Sequence, residues 1–291
     1  MRTVAIVNQK GGVGKTTVCR TLSHMLAENN KHVLVIDVDP QQTLSLSLSV
    51  VKNRFDEQTP SMYHVLTGEL PIEQAIINIS DNLSIIRSDY RLYSYNGKPL
   101  ISMEDVSAFD GDPTGLYNYI MNGYKNQLDP DSDDRHRIRR ELSRISEYGF
   151  DYVIFDTSPD LGWLLTSVLL ASPVVNVIIP AFAEESSREA ILALNRSIKT
   201  ILANDLSQKI NILGVLISKY ENNNLSKNYL KFMAQTANAM GTSLFNTIIP
   251  KSVAIPEAMA LKMDLFDGRK VRVLDAYKDF YNEFLTRIEN I

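Results

Sequence analysis

One stretch near the start of the chain decides its fold: Thr3-Val-Ala-Ile-Val-Asn8-Gln9-Lys10-Gly11-Gly12-Val13-Gly14-Lys15-Thr16-Thr17. The apolar, β-branched run from Val4 to Val7 predicts a buried parallel strand. The glycines after it allow the backbone to pass close to a ligand, and residues 16–28 have apolar side chains at helical spacing. Because the unpaired amides of a helix N-terminus favour anions, the order of strand, glycine loop and helix predicts a phosphate-binding loop.

The side chains of this loop favour a nucleotide with a bound metal. Lys15 carries its charge on a long stem that can reach the β- and γ-phosphates, and the Thr16 hydroxyl is a hard oxygen ligand for Mg²⁺. The usual spacing of such loops would place glycine at position 9, but Gln9 stands there and a second lysine, Lys10, precedes the paired glycines. The predicted nucleotide-binding residues of the loop are Lys10, Gly11, Gly12, Val13, Gly14, Lys15, Thr16 and Thr17.

Carboxylates follow two further predicted strands. The strand that starts at His32 ends at Asp37 and runs into Asp39, and the apolar strand that starts at Asp151 ends at Asp156. Open α/β sheets bind ligands at the carboxyl ends of their strands, so Asp37, Asp39 and Asp156 are expected to face the phosphates. An aspartate in the position of Asp156 holds Mg²⁺ through water in phosphoryl-transfer enzymes, which predicts that role here.

Two of these motifs together resemble those of a known family. The K-G-G-x-G-K-T loop that starts at Lys10 and the D-x-D-P-Q string at Asp37 are similar to the deviant Walker A motifs of the ParA/MinD superfamily of ATPases. The resemblance implies a P-loop NTPase that binds ATP and Mg²⁺ in a sandwich homodimer, with Lys10 touching the nucleotide of the partner subunit. It also implies that Asp39 orients the attacking water and that Asp37 supports the water shell of the metal. The predicted catalytic residues are therefore Lys10, Lys15 and Asp39, and those at the metal are Thr16, Asp37 and Asp156.

A further segment resembles the part of the same family that edges the adenine. It runs from Ile249 as Ile-Pro-Lys-Ser-Val-Ala-Ile-Pro-Glu-Ala, and the resemblance implies that Pro250 and Lys251 contact the base. An ordinary turn between a strand and a helix is the alternative. Many family members follow the Glu-Ala pair with glycine and proline, and residues 259–265 have neither.

The order of elements along the 291 residues predicts a doubly wound α/β fold with a mostly parallel sheet. With 44% hydrophobic residues, the chain is interpreted as one P-loop domain over residues 1–291, with an insertion atypical of the family at about 88–148. Before that insertion, short helices are predicted at 61–66 and 72–77 and a strand at 83–86. His64 has no evident partner, and a metal or catalytic role is not expected for it.

The charge balance limits how the chain could contact nucleic acid. There are 34 acidic against 30 basic residues, so no global positive field exists and any DNA contact needs a local patch. The candidate patch for the DNA backbone is Arg269, Lys270 and Arg272. Arg137, Arg140 and Arg144 fall on one face of a predicted helix and could contact phosphates or an acidic partner. The alternative is an ordinary solvated helix face.

Composition disfavours several other classes of protein. Cys19 is the only cysteine and is predicted inside the first helix, so disulfides and cysteine-ligated metal clusters are excluded. No hydrophobic run reaches the length of a membrane span and the first strand leaves no room for a signal peptide, so a cytoplasmic protein is expected. The last predicted helix has acidic as well as basic residues on its polar face, which suits docking on the protein core better than an anionic bilayer.

The resemblance implies a ParA-like ATPase for DNA partition, with a plasmid as the expected replicon. Such a protein dimerises with ATP, binds DNA non-specifically on the nucleoid, and is released when a ParB-like partner stimulates slow hydrolysis. Two alternatives stay open. One is a MinD-like ATPase that cycles on a membrane, which the last helix disfavours, and the other is a small-molecule ligase on the same scaffold.

Overall fold

The computed structural model describes residues 1–95, 135–160, 162–260 and 272–291. Within these ranges, one sheet of eight strands has the order β3-β4-β2-β5-β1-β6-β7-β8. Only β3 runs antiparallel to its neighbour. The strands are β1 (Arg2–Ile6), β2 (Val33–Asp37), β3 (Ile76–Ser80), β4 (Leu83–Ile86), β5 (Tyr152–Asp156), β6 (Val174–Ala181), β7 (Lys209–Tyr220) and β8 (Leu244–Pro250).

Helices connect these strands, as the predicted doubly wound α/β fold requires. Two single 3₁₀ turns, Ile72–Ala75 and Ser146–Tyr148, precede β3 and β5. The helices are α1 (Lys15–Glu28), α2 (Thr43–Ser47), α3 (Met62–Thr67), α4 (Leu92–Tyr95), α5 (Arg137–Arg144), α6 (Trp163–Leu169), α7 (Glu185–Asn204), α8 (Asn224–Ala239), α9 (Ala254–Ala260) and α10 (Arg272–Glu289).

The central strands are buried on both faces. In β1, Val4 and Ile6 pack into a cluster with α1 and α10, whereas Ala5 packs into a cluster with α3, α5, α6, α7 and α8. Alternate side chains of a strand point to opposite faces of the sheet, so a strand covered on both sides needs a continuous apolar run. This is why the apolar run from Val4 to Val7 predicts a buried strand, although the observed strand ends at Ile6.

The sequence interpretation is wrong at one edge of the sheet. Ile76 and Ile77, predicted in a short helix, lie in β3, because the 3₁₀ turn ends at Ala75 and the chain then pairs with β4. A short apolar run fits a strand or a helix equally well until its neighbour is known. The antiparallel pairing with β4 supplies backbone hydrogen bonds to this segment, and it therefore forms a strand and not a helix.

The last helix docks on the sheet, as its mixed polar face predicts. Its apolar stripe is buried against α1 and the neighbouring strands, with Phe280 and Phe284 almost completely inaccessible. On its other side, Glu283 accepts hydrogen bonds from the amides of Asn246 and Thr247, and Arg287 donates to the carbonyl oxygen of Leu244 at 2.6 Å. No helix in the described ranges is both long and apolar enough to cross a bilayer.

The two ends of the predicted 88–148 insertion pack into the core. Leu92, Ile138 and Leu142 are buried in the same cluster as α6 and α7. Residues 96–134, which make up most of this predicted insertion, lie outside the described residues. The extent of the insertion therefore remains a prediction.

Candidate nucleotide-binding site

The predicted phosphate-binding loop lies between β1 and α1, at the carboxyl edge of the sheet. Gly12 and Gly14 have φ angles of 76° and 90°, which residues with a Cβ rarely adopt. Gly14 caps α1, and its carbonyl oxygen accepts the first helical bond from the amide of Val18 at 2.9 Å. A Cβ built on Gly11, Gly12 or Gly14 would meet no atom within 4 Å, so the inner side of the loop is open to a ligand.

Three side chains from neighbouring strand ends hold this loop in place. Asn8 Nδ2 donates to the carbonyl oxygen of Pro180 at 2.7 Å, and the Ser218 hydroxyl donates to that of Val13 at 2.6 Å. Lys219 Nζ donates to the carbonyl oxygen of Gly12 at 2.7 Å. Sequence reasoning gave none of these residues a role, because each contact joins residues far apart in the chain.

Lys15 is largely buried beside the loop, as a lysine that reaches phosphates should be. Its ammonium donates to the carbonyl oxygen of Lys10 at 3.2 Å. Burial lowers the pKa of Lys15, while the charges of Asp156, Asp39 and Asp160 oppose that shift. An anionic ligand in the loop would restore the charge balance around this ammonium.

The aspartates predicted at the metal are neighbours. In the parallel register of β2 and β5, Asp37 lies opposite Asp156. Asp37 is fully hydrogen-bonded: one carboxylate oxygen accepts from the amide and hydroxyl of Ser45 at 2.9 and 2.6 Å, and the other accepts from the amide of Asp39. Burial raises the pKa of Asp37 to about 7, partly offset by Ser45.

Asp156 differs from its neighbour because its two buried carboxylate oxygens have no donor at ordinary hydrogen-bond geometry within the described residues, although the Thr16 hydroxyl lies close enough to affect the pKa of Asp156. Burial and the nearby charge of Asp37 raise the pKa of Asp156 well above its usual range, and the Thr16 hydroxyl acts in the opposite direction. A buried carboxylate without a partner is costly unless a cation or its water shell satisfies it. The donors therefore fit Mg²⁺, which keeps several waters and needs only one or two carboxylates from the protein together with phosphate oxygens.

Within the described residues, no three His, Cys, Asp or Glu side chains are arranged to hold a metal ion by themselves. A magnesium ion at Asp156 would therefore depend on the nucleotide for its remaining ligands.

A cavity of about 630 Å³ joins the loop to Asp39. Asp39 Oδ1 accepts from the amide of Gln41 at 2.9 Å, and burial raises the pKa of Asp39 while Lys15 lowers it. Arg54 and Gln41 also line the cavity, although sequence reasoning did not select them. Its lining is Gly11, Gly12, Gly14, Lys15, Thr16, Thr17, Asp39, Gln41, Thr43, Leu46, Ser47, Arg54, Pro159 and Lys219.

Lys10 is not among the residues that line this cavity. Its ammonium forms an ion pair with Glu184, which caps α7, and a hydrogen bond with the Ser186 hydroxyl. The Lys10 side chain is 25% exposed, so it lies at the rim of the site and not among the residues that line the phosphate pocket.

Pro250 and Lys251, the predicted adenine contacts, are not among the residues that line the cavity. Pro250 ends β8, and Lys251 donates its amide to the carbonyl oxygen of Tyr220 and pairs its ammonium with Glu221 at 2.5 Å. Their contact with adenine stays a prediction. Arg269 and Lys270 fall outside the described residues, and Arg272 is the first residue of α10.

The basic face of α5 has partners inside the protein. Arg144 forms an ion pair with Glu73 at 2.9 Å, which supports the ordinary structural interpretation of this residue. Its neighbour Arg139 donates to the carbonyl oxygens of Leu170 and Ser172 and to Gln208.

The expectation that His64 has no partner is wrong. His64 Nδ1 lies 2.8 Å from the Ser61 hydroxyl, and Nε2 lies 2.9 Å from the carbonyl oxygen of Glu57. Both contacts fix the ring within the protein and are typical of a structural histidine.

A family model described as the CobQ/CobB/MinD/ParA nucleotide binding domain matches residues 4–265. The chain belongs to this family. The chromosome partitioning protein ParA of Caulobacter vibrioides is 28% identical over 290 residues, which cover 99% of this chain and 95% of that protein. The match to this nucleotide-binding family confirms the family predicted from the loop at Lys10 and the string at Asp37.

Solved structures of this fold agree with the observed architecture. A putative plasmid partition protein from Borrelia burgdorferi bound to AMPPNP has a TM-score of 0.73 at 20% identity, covering 98% of this chain and 99% of that one. A cobyrinic acid a,c-diamide synthase from Mycobacterium smegmatis, with bound ADP and magnesium, has a TM-score of 0.70 at 22% identity, covering 99% and 96%. Both structures therefore share the fold observed in this chain.

Proposed function

We propose that this protein is a Mg²⁺-dependent ATPase of the ParA type that acts in DNA partition. The observation that carries the proposal is the end-to-end match with ParA of Caulobacter vibrioides, together with a cavity lined by Lys15, Thr16 and Asp39 and the charge of Asp156 close to Lys15. Lys15 and the amides of the loop would bind the phosphates, and Thr16 and Asp156 would hold Mg²⁺.

Hydrolysis in this proposal needs no covalent intermediate. Magnesium would neutralise charge on the β- and γ-phosphates, while Lys15 stabilises the charge that develops on the transferring group. Asp39 lies at the cavity wall with one carboxylate oxygen fixed by Gln41, so the other can orient the attacking water. Asp37, opposite Asp156 on the adjacent strand, would support the metal's water shell.

The position of Lys10 supports a sandwich homodimer. Its ammonium is at the rim of the site, next to Glu184 and Ser186, and not in the phosphate pocket of its own subunit. From the rim, a change of side-chain rotamer would direct it toward a second subunit. Lys10 would then stabilise the phosphates of the partner's ATP, and hydrolysis would require the dimer.

The biological cycle that we propose follows from this nucleotide-dependent dimer. The ATP-bound dimer would bind DNA without sequence preference on the nucleoid, in the cytoplasm, and a ParB-like adaptor would stimulate hydrolysis and release. Arg269, Lys270 and Arg272 are the proposed contacts with the DNA backbone. A plasmid is the proposed replicon.

The alternatives have less support. A MinD-like membrane cycle would need an available amphipathic helix, and the apolar stripe of α10 is buried against the sheet. A ligase would need a second substrate close to the γ-phosphate. A second cavity, of about 720 Å³, is lined by Arg139, Arg196 and Thr200, but Thr200 lies about 22 Å along α7 from the helix start beside Lys10.

DNA binding with different nucleotides tests the proposal. The protein is mixed with a long DNA of arbitrary sequence at fixed salt, with ATP and Mg²⁺, with ADP, or without nucleotide. Binding that requires ATP, weakens with salt and ignores sequence is the expected result. Absence of binding in every state would contradict a partition role, and sedimentation with anionic liposomes would then test the membrane alternative.

A further inference from the structure

Two buried serines connect the aspartates of the site. Ser45 lies in α2 and Ser88 follows β4, and both are completely inaccessible to solvent. The Ser45 hydroxyl donates to Asp37 at 2.6 Å and accepts from the amide of Ser88 at 3.0 Å. The Ser88 hydroxyl donates in turn to the carbonyl oxygen of Asp39 at 2.6 Å.

These bonds form an unbroken chain, Asp37, Ser45, Ser88, Asp39, which we call the serine relay. A hydroxyl has one donor and two acceptor sites, and in this chain each hydroxyl directs its donor toward one of the two aspartates. The amide of Asp39 closes the ring by donating to the second oxygen of Asp37 at 3.1 Å. The relay therefore fixes the backbone of Asp39 relative to the carboxylate of Asp37.

The geometry points to a specific role. We propose that Ser45 and Ser88 are positioning residues for ATP hydrolysis, which hold the water-orienting Asp39 and the metal-side Asp37 in one rigid unit. The proposal rests on the ATPase activity proposed above. Neither serine is among the residues that line the cavity, so each acts through the aspartates and does not touch the nucleotide.

Loss of a positioning residue should lower kcat more than it lowers the affinity for ATP. Displacement of a water-orienting group by a fraction of an ångström lowers the rate of the chemical step, whereas the phosphates are bound by the loop and Lys15. The carbonyl oxygen of Asp39 also accepts from the amide of Gln42 at 2.8 Å, so removal of the Ser88 hydroxyl loosens this segment without freeing it.

The test compares Ser88→Ala with Ser84→Ala in the full-length protein. Ser84 is a matched control because it is a buried serine of the adjoining strand whose hydroxyl donates to Asn78 and to no aspartate. Basal ATP turnover without DNA or partner is measured together with the affinity for a fluorescent ATP analogue. Ser88→Ala is expected to lower kcat about ten- to a hundredfold with an affinity within about threefold of wild type, and Ser84→Ala to change neither.

A double variant tests the connection itself. The Ser88 amide donates to the Ser45 hydroxyl, so the two substitutions should not act independently. The fold reduction in kcat of the Ser45→Ala/Ser88→Ala double variant should be smaller than the product of the fold reductions in the two single variants. Ser45→Thr keeps the hydroxyl and should restore most of the activity lost in Ser45→Ala. Unchanged kcat in folded Ser88→Ala, a loss of affinity that matches the loss of kcat, or fully multiplicative effects would each overturn the relay.

Hydrogen exchange measures how firmly the segment around Asp39 is held, without requiring ATP hydrolysis. In the nucleotide-free protein, amides in the peptide 37–46 are expected to exchange about tenfold faster in Ser88→Ala than in Ser84→Ala, with α1 unchanged in both. Equal exchange in the two variants would overturn the relay. Absence of ATP hydrolysis by the wild type would instead contradict the proposed function, and the exchange comparison would still decide whether the serines hold Asp39.

Discussion

Lys219 is joined to Gly12 by a hydrogen bond of 2.7 Å, which fastens the end of β7 to the phosphate-binding loop 207 residues earlier in the chain. Lys219 adopts a φ of 50°, in the left-handed region that lysine rarely occupies. This backbone conformation brings the side chain back over the loop, where it also lines the nucleotide cavity. Lys219 therefore both holds the loop in place and provides a positive charge at the nucleotide cavity.

Replacement of this lysine should weaken nucleotide binding. Lys219→Met keeps the stem but removes the donor and the charge, and we expect a loss of ATP affinity of about tenfold in a fluorescence titration, as for a lost charged hydrogen bond. Lys209→Met, at the exposed opposite end of the same strand, is the control and should bind normally. Equal affinities for the two variants would show that Lys219 does not stabilise the loop or the ligand.

The two lysines of the loop should separate nucleotide binding from dimerisation. Lys15→Ala should abolish ATP binding, because Lys15 is the buried cation of the phosphate pocket. Lys10→Ala should keep ATP binding within about threefold and lose both hydrolysis and the ATP-dependent dimer in analytical ultracentrifugation. A dimer that forms normally in Lys10→Ala would contradict a role across the interface.

Asp39→Ala should affect hydrolysis alone. The carboxylate lies at the cavity wall and is not predicted to bind the phosphates, so affinity for ATP and dimerisation should persist while turnover falls by at least about a hundredfold. Single-turnover hydrolysis and ultracentrifugation with ATP measure the two properties separately. Normal turnover in this variant would show that another group orients the water.

The stability of the nucleotide-free protein should fall as pH rises from about 4 to 7. Burial raises the pKa of Asp37 to about 7, compared with about 3.9 in an unfolded chain. In this window the native state binds more protons than the unfolded state, so the stability present below pH 4 is lost as pH rises through the folded-state pKa. The raised pKa of Asp156 acts in the same direction.

Urea unfolding at pH 5.0 and 7.5 measures this dependence. From Asp37 we expect a decrease of about 1 to 4 kcal/mol in the free energy of unfolding. Asp37→Asn should remove that part of the decrease, and Asp81→Asn, at an exposed position, should not. The same decrease in Asp37→Asn as in wild type would exclude Asp37 as its source.

Arg139 should stabilise the protein and not bind DNA. Its guanidinium donates at 2.9 and 3.1 Å to two carbonyl oxygens that follow α6, so Arg139→Ala should lower the free energy of unfolding by about 1 to 3 kcal/mol. The exposed Lys199→Ala on α7 is the control for stability. Reduced DNA affinity in Arg139→Ala at unchanged stability would instead place α5 at the DNA interface.

Local sequence was sufficient for the loop and for the strands that carry the aspartates. The strand up to Ile6 and the helix from Lys15 follow from the spacing of their apolar side chains, and Gly12 and Gly14 between them have backbone conformations that other residues rarely adopt. The positions of Asp37 and Asp156 follow from their place at the ends of two buried strands. These features depend on residues close together in the chain, so a single sequence contains them.

Tertiary structure alone decided the partners of those residues. Ile76 lies in a strand because β4 is beside it, and Lys10 meets Glu184 because α7 begins there. Ser88 reaches Asp39 across 49 residues of sequence. The sequence by itself thus determined which residues can bind phosphate and metal, since that depends on residue type and local backbone. Which side chains hold those residues in position was decided by the order of strands in the sheet, because that order brings distant strand ends within hydrogen-bonding distance.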